Sequence, residues 1–274
     1  ALAATFDPAL AYDYGVAIGE EARYRNKDVL LGPGCNICRT PLCGRNFEYM
    51  GEDPALASAM VVPYVKGVQE QGVAACVKHF ALNNQELHRH TTNVIVSDRA
   101  FNEIYLPAFR AAVEEGGAWA MMGAYNLFDS EHCCHNSRLS RILKEEWNFD
   151  GVLISDWGGT HDTEQAIING LDMEFGTWTD GLMVGKGNAY DKFHLAQPYL
   201  ERLRSGEASE DVLDGKVRRV LRLMMRTCMS GNRGWGRFTC PEHSATARRN
   251  GAEGIVLLKN EENLLPLHHR RIVV

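Results

Sequence analysis

No apolar run in this sequence comes near the roughly 18 residues that a membrane span requires. No basic start followed by an apolar stretch marks a signal peptide. Basic charge is in deficit, with 29 Lys and Arg against 35 Asp and Glu and a formal net charge of −6. That balance argues against a general affinity for nucleic acid, and ten histidines would offset it only below about pH 6.5. Lys and Arg gather at Lys216–Arg226 and again at His268–Arg271, and the first cluster reads as the solvated face of an amphipathic helix. A second C-x2-C is also missing. Cys35 and Cys38 have that spacing and Cys43 follows, but a zinc site wants a fourth ligand at matching distance, so no metal is expected. The eight cysteines are better read as free thiols used as small core residues. Unpaired thiols favour a reducing compartment such as the cytoplasm over the periplasm or secretion.

What is present is a chain of 274 residues, 45% hydrophobic, enough for one large domain. Asp7-Pro8 and Asp53-Pro54 each place a cap before a proline at the first helical position. Short apolar strands are expected at Asp28–Leu31, Val73–Val77, Trp119–Tyr125, Val152–Ser155 and Leu171–Phe175, with a β-like Asn93–Val96 between the second and third. Helices are expected at Arg99–Glu115, Leu139–Trp147, Thr163–Asn169, Ala189–Ser205, Ser209–Met229 and around Ala245–Gly254. The strands are continuous apolar runs without alternation, as a parallel sheet buried on both faces requires. The repeating strand–loop–helix order predicts an α/β fold of the (β/α)8 TIM type, incomplete in this chain, where five strands are counted rather than eight. The barrel is expected over 1–230 without its first strand or strands. A linker and helix follow at 231–254, and a second α/β domain is expected to start in 255–274, with a strand at Ile272–Val274 and no continuation.

Chemistry in a parallel barrel sits where strands end. The second strand runs into Lys78-His79, the third into Tyr125-Asn126, the fourth into Ser155-Asp156-Trp157-Gly158-Gly159, and the fifth carries Asp172 and Glu174. Asp156 is the sharpest candidate. A carboxylate between an apolar strand and an aromatic ring, with Lys78, His79 and Arg45 as nearby donors, can attack an anomeric carbon. Trp157 offers a flat face to a sugar ring, and Gly158-Gly159 leaves room for a ligand against the backbone. The competing structural reading has Asp156 capping the next helix. Glu48, Glu52 and Asp53 read as helix-capping residues. Glu131, His132, His135 and the adjacent Cys133 and Cys134 resemble a loose metal cluster whose spacing does not fit, and read as loop residues.

Together these pieces resemble glycoside hydrolase family 3, on its β-glucosidase side. The resemblance covers nearly the whole chain. Its components are Leu31-Gly32-Pro33-Gly34, Gly44-Arg45-Asn46-Phe47-Glu48 with Glu52-Asp53-Pro54, Lys78-His79-Phe80 with Asn83-Asn84-Gln85-Glu86, Ser155-Asp156-Trp157, Gly170–Glu174, and Glu253–Asn260 with Leu264–Leu267. Each is weak alone, and their order and spacing are specific. The resemblance implies a retaining enzyme without a cofactor, acting on a β-glucoside or short β-linked oligosaccharide. It implies Asp156 as nucleophile, and Arg45, Lys78 and His79 as holders of the nonreducing-end sugar's hydroxyls. Tyr125 would stand beside the nucleophile and Trp157 at the edge of the sugar site. Two departures matter. The family's first strand, ending in a sugar-binding aspartate, is not found before Ala1. The family's acid/base carboxylate comes from a second domain and is expected outside this chain, about 5–5.5 Å from Asp156.

Three alternatives stay open at this point. One is a β-xylosidase of the same family, another a sugar-binding or inactive fragment, and the third a barrel lyase forming a Schiff base at Lys78. Oligomeric state, including a homo-oligomer, is open as well.

Overall fold

The computed structural model describes residues 1–176, 189–231 and 234–268. Four parallel strands form the central sheet: β1 (Val29–Leu30), β2 (Ala74–Phe80), β3 (Ala120–Gly123) and β4 (Val152–Ile154), side by side in chain order. Sequential order with helices between the strands is what repeated β-α-β crossovers of one hand produce, and it makes the sheet an arc of a (β/α)8 TIM-type barrel. The expected fifth strand, Leu171–Phe175, is reduced to one parallel bridge, Ile154 to Met173. The reason lies in Asp172, whose carboxylate takes the Leu153 N–H at 2.9 Å and so displaces a regular ladder.

Alternate strand residues serve two cores, as a pleated strand demands. Ala75, Val77, Met121 and Leu153 face the helices, while Ala74, Cys76, Ala120, Met122, Val152 and Ile154 face the barrel interior. Leu223, from the later helix Glu210–Arg226, packs into that interior cluster.

Helix α1 (Pro8–Tyr24) and helix α2 (Pro54–Glu70) start as the sequence predicts, with Asp7 and Asp53 accepting backbone N–H groups. The two cross closely at glycines. A Cβ on Gly15 would lie 2.4 Å from Tyr64 O, and one on Gly67 would lie 2.5 Å from Tyr12 O. Helix α3 (Pro107–Glu114) packs on α2. The expected Arg99–Glu115 helix is not one α-helix. Pro107 has no N–H to donate, and the turn before it widens to a π-turn at Phe101–Tyr105 with Leu106 N bonded to Phe101 O. Leu139–Trp147 likewise starts at Ser137, capped by Asn136, and widens to a π-turn at Ile142–Glu146.

Thr163–Ile168 forms α4, and the expected Ala189–Ser205 helix splits into a 3-10 turn Ala189–Lys192 and α5 (Gln197–Ser205). Helix α6 (Glu210–Arg226) is not purely a solvated basic face. Its Lys216 is buried and donates to Ala166 O at 3.1 Å and to Leu171 O, capping the end of α4. Helix α7 starts earlier than expected, at Pro241, and runs to Gly254 along α1, with His243 between Glu20 and Glu21. Ile255–Leu258 is extended, unpaired to any strand among the described residues, and exposed. The expected strand Ile272–Val274 lies outside the described residues. No helix among the described residues is long and apolar enough to cross a membrane.

Candidate active site

β2 is the strand that builds the site. Its last residues, Lys78-His79-Phe80, belong to the strand itself, and the register to β3 shifts between Val77 and Phe80. Lys78 N donates to Pro33 O and Cys35 N to Lys78 O, so the Gly32–Cys35 turn extends the ladder. Beyond it the Asn36 side chain stands in for a strand. Its Oδ1 accepts the His79 N–H at 2.7 Å and its Nδ2 donates to His79 O at 2.9 Å. The His79 ring is 2% exposed and is held from behind by Tyr49, with OH to Nδ1 at 3.1 Å. Asn83 Nδ2 donates to the same hydroxyl at 3.0 Å, leaving the Tyr49 proton for His79 Nδ1. The imidazole then carries its own proton on Nε2, which points at Asp156 Oδ2 from 3.8 Å. Burial, then the charges of Arg45, Lys78 and Arg89, hold His79 well below the ordinary histidine range, in its neutral form.

Asp156 follows β4 and is 7% exposed. Oδ1 accepts the Trp157 N–H at 2.8 Å. Burial raises its pKa above the ordinary carboxylate value. The Trp157 N–H, the Tyr125 hydroxyl, Arg45 and Arg89 oppose that rise without cancelling it. Asp156 does not cap the next helix, since Asp162 caps α4. Nor do both glycines behind it make room for a ligand. Gly158 takes a left-handed φ of 74°, and Gly159 lies where a Cβ would come within 2.6 Å of Cys134 Sγ. Trp157 is 40% exposed and stacks on Phe175, ring centroids 5.1 Å apart. Tyr125 donates to Trp157 O at 2.9 Å. Arg89 lies over its ring at 4.6 Å, and the His90 ring packs against it with centroids 4.2 Å apart.

Arg45 and Lys78 converge from two elements on one carboxylate, Glu48. Glu48 thus links Arg45 to Lys78, while His79 approaches Asp156 at 3.8 Å and the Trp157 N–H, Tyr125 and Arg45 act on the same Asp156 carboxylate. Asp172 does not join them. Lys144 at 2.8 Å and Arg219 at 3.4 Å pair with the buried Asp172 carboxylate, and Glu174 accepts Leu195 N. Arg89, Glu48, Asn36, Tyr49 and Asn83 are members that sequence reasoning missed. Glu48 was within reach, because it lies inside the Arg45 motif. Arg89 lies in a stretch with no periodicity and carries no signal beyond its charge.

His132 stacks on His161 at 3.8 Å, and His135 Nε2 accepts His161 N. Cys133 and Cys134 are buried, and all eight thiols are free. Among the described residues, no group of three or more His, Cys, Asp or Glu is arranged to hold a metal ion.

The family described as "Glycosyl hydrolase family 3 N terminal domain" matches residues 1–223. "Beta-glucosidase BoGH3A" of Bacteroides ovatus is 55% identical over 282 residues, covering 100% of this chain and 38% of its own length. "Thermostable beta-glucosidase B" of Acetivibrio thermocellus is 41% identical, covering 97% and 34%. "Exo-alpha-(1->6)-L-arabinopyranosidase" of Bifidobacterium longum is 36% identical over 97% of this chain and 33% of its own. Among solved structures, beta-glucosidase 3B from Thermotoga neapolitana in complex with alpha-D-glucose superposes with a TM-score of 0.87 at 40% identity, over 97% of this chain and 36% of that one. The chain thus spans about a third of the length of these relatives.

Proposed function

This chain belongs to glycosyl hydrolase family 3, and from that premise we propose that it carries the nucleophile half of a retaining exo-β-glycosidase acting on terminal nonreducing β-D-glucosyl residues. Asp156 attacks the anomeric carbon as a carboxylate, giving a covalent glycosyl ester while the leaving oxygen takes a proton. Water then releases the sugar with its configuration retained. Arg45, Lys78, His79 and Arg89 hold the hydroxyls of the nonreducing-end sugar. Tyr125 fixes the nucleophile's flank, and Trp157 gives the ring a flat apolar face. The proton donor comes from residues outside this chain. The reading needs no cofactor.

The observation that carries it is Asp156 itself, a buried carboxylate at the end of β4. It is steered by the Trp157 N–H and faced by a neutral His79 rather than locked in an ion pair like Asp172. The relative named for an arabinopyranosidase supports a segment compatible with more than one sugar, so a β-xyloside is the second substrate to try. We also assign 1–230 to the barrel domain, 231–254 to a linker and helix, and 255–274 to the start of a second domain. The exposed Ile255–Leu258 stretch supports this, being apolar surface that another layer would cover.

Treating the intact protein with a 2-deoxy-2-fluoro-β-D-glucoside and digesting it tests the reading. The label is expected on the peptide holding Asp156, and a label elsewhere overturns it. Asp156→Gly is expected to lower kcat by at least about 10³-fold with the fold retained.

A further inference from the structure

Glu48 ends the short 3-10 turn Asn46–Glu48, which Arg45 precedes. Residues three apart eclipse one another in such a turn, so the Glu48 side chain lies over that of Arg45. Its Oε1 accepts from Arg45 Nε at 2.5 Å. The other oxygen reaches a different element, with Oε2 3.3 Å from Lys78 Nζ on β2. All three side chains are only 15–21% exposed, so the bridge is shielded from competing water and salt. Glu48 has no capping duty, since Asp53 caps α2.

A second carboxylate repeats the pattern. Glu86 accepts from Arg89 Nη1 at 2.7 Å and from Asn83. Around Asp156, the cations Arg45, Lys78 and Arg89 are thus matched by Glu48 and Glu86, and Asp156 completes the balance. Arg and Lys have many rotamers, and a site needs its donors held to a fraction of an ångström.

We propose that Glu48 is a positioning residue of the active site, a two-handed carboxylate that fixes the spacing of the Arg45 and Lys78 donors and offsets their charge beside Asp156 without touching the sugar. It rests on the reading that Arg45 and Lys78 hold the sugar's hydroxyls.

The test uses the intact protein and 4-nitrophenyl β-D-glucoside. Glu48→Gln keeps the shape and removes the charge. We expect kcat/KM to fall roughly 10- to 100-fold, as for a displaced positioning group. With the two cations no longer offset, Asp156 ionises more readily, and the acid limb of the kcat/KM profile moves to lower pH by roughly half to one unit. Glu48→Asp keeps the charge but cannot span both partners. It should lose a comparable factor in kcat/KM with its acid limb near the wild-type position. In an Arg45→Ala background the loss from Glu48→Gln should shrink to less than about threefold, because coupled residues do not act additively.

Wild-type kcat/KM and acid limb in Glu48→Gln overturn the inference, as do the same limb shift in Glu48→Asp or a full additive loss beside Arg45→Ala. Asp156→Gly run in parallel separates the two levels. If that variant is inactive and Glu48→Gln behaves as wild type, only the role of Glu48 fails. If Asp156→Gly remains active, the reading beneath it fails.

Discussion

Asp156 and Asp172 both follow or interrupt apolar strands, and side by side in the sequence they look alike. In the fold Asp172 gives its oxygens to Lys144, Arg219 and the Leu153 N–H, while Asp156 receives the Trp157 N–H and the edge of a neutral imidazole. Asp156 is in no direct ion pair like that of Asp172, and burial raises its pKa against the pull of the Trp157 N–H, Tyr125, Arg45 and Arg89. Only the carboxylate can attack, so kcat/KM of the intact protein should fall as pH drops through that raised value. The acid limb is expected above the ordinary carboxylate range near 4. A pH–rate profile in which activity persists undiminished down to about pH 4 would show that Asp156 does not control the step. Partnership, not residue type, distinguishes the two aspartates. Partnership depends on residues such as Arg219, 47 positions away from Asp172, and a linear reading cannot see it.

Elements were legible wherever local chemistry decides. Asp-Pro starts both long helices, and Ser97, Asn136, Asp162 and Ser209 cap others. What local chemistry did not carry was how tightly elements meet. Gly15 and Gly67 sit in helix interiors, where alanine would be favoured by about 1 kcal/mol on propensity alone. Their neighbours reverse that sign, because a Cβ at either would collide with backbone of the facing helix. Gly67→Ala is therefore expected to destabilise the protein by about 1–3 kcal/mol. It should appear as a lower urea midpoint at unchanged slope. A higher midpoint would mean that α1 and α2 can separate at no cost. The π-turns before Pro107 and at Ile142–Glu146 were likewise invisible, since periodicity alone cannot distinguish a helix from a helix with one wider turn.

At the scale of the whole molecule, burial sets the response to acid. His79 is held well below its ordinary value by burial and then by Arg45, Lys78 and Arg89. His135 and His161 are pushed down to about 4, by burial first and then by neighbouring histidines. Burial also lowers His90 and His132. An unfolded chain takes up protons at these groups near pH 6.5, and the folded protein does not. The unfolded state then binds more protons, so stability rises with pH through this window. The histidine contribution should be full above about pH 6.5 and decline as pH falls from there toward about 4. Asp156, raised rather than lowered, opposes this only at the acid end, and five histidines outweigh one carboxyl. Urea midpoints at pH 7 and pH 5 check the sign, and an unchanged or higher midpoint at pH 5 contradicts it.

The sequence alone determined the α/β class, the parallel sheet and the Asp-Pro helix starts, and it singled out Arg45, Lys78, His79, Tyr125, Asp156 and Trp157 as candidates. These follow from apolar patterning, caps and motif order, which act over a few residues. The tertiary structure alone decided which carboxylate is paired and which is poised. It also showed that Asn36 replaces a strand beside His79, and that Glu48 ties Arg45 to Lys78. Those are distances between segments 28 to 77 residues apart, and only the packed chain brings such segments within contact.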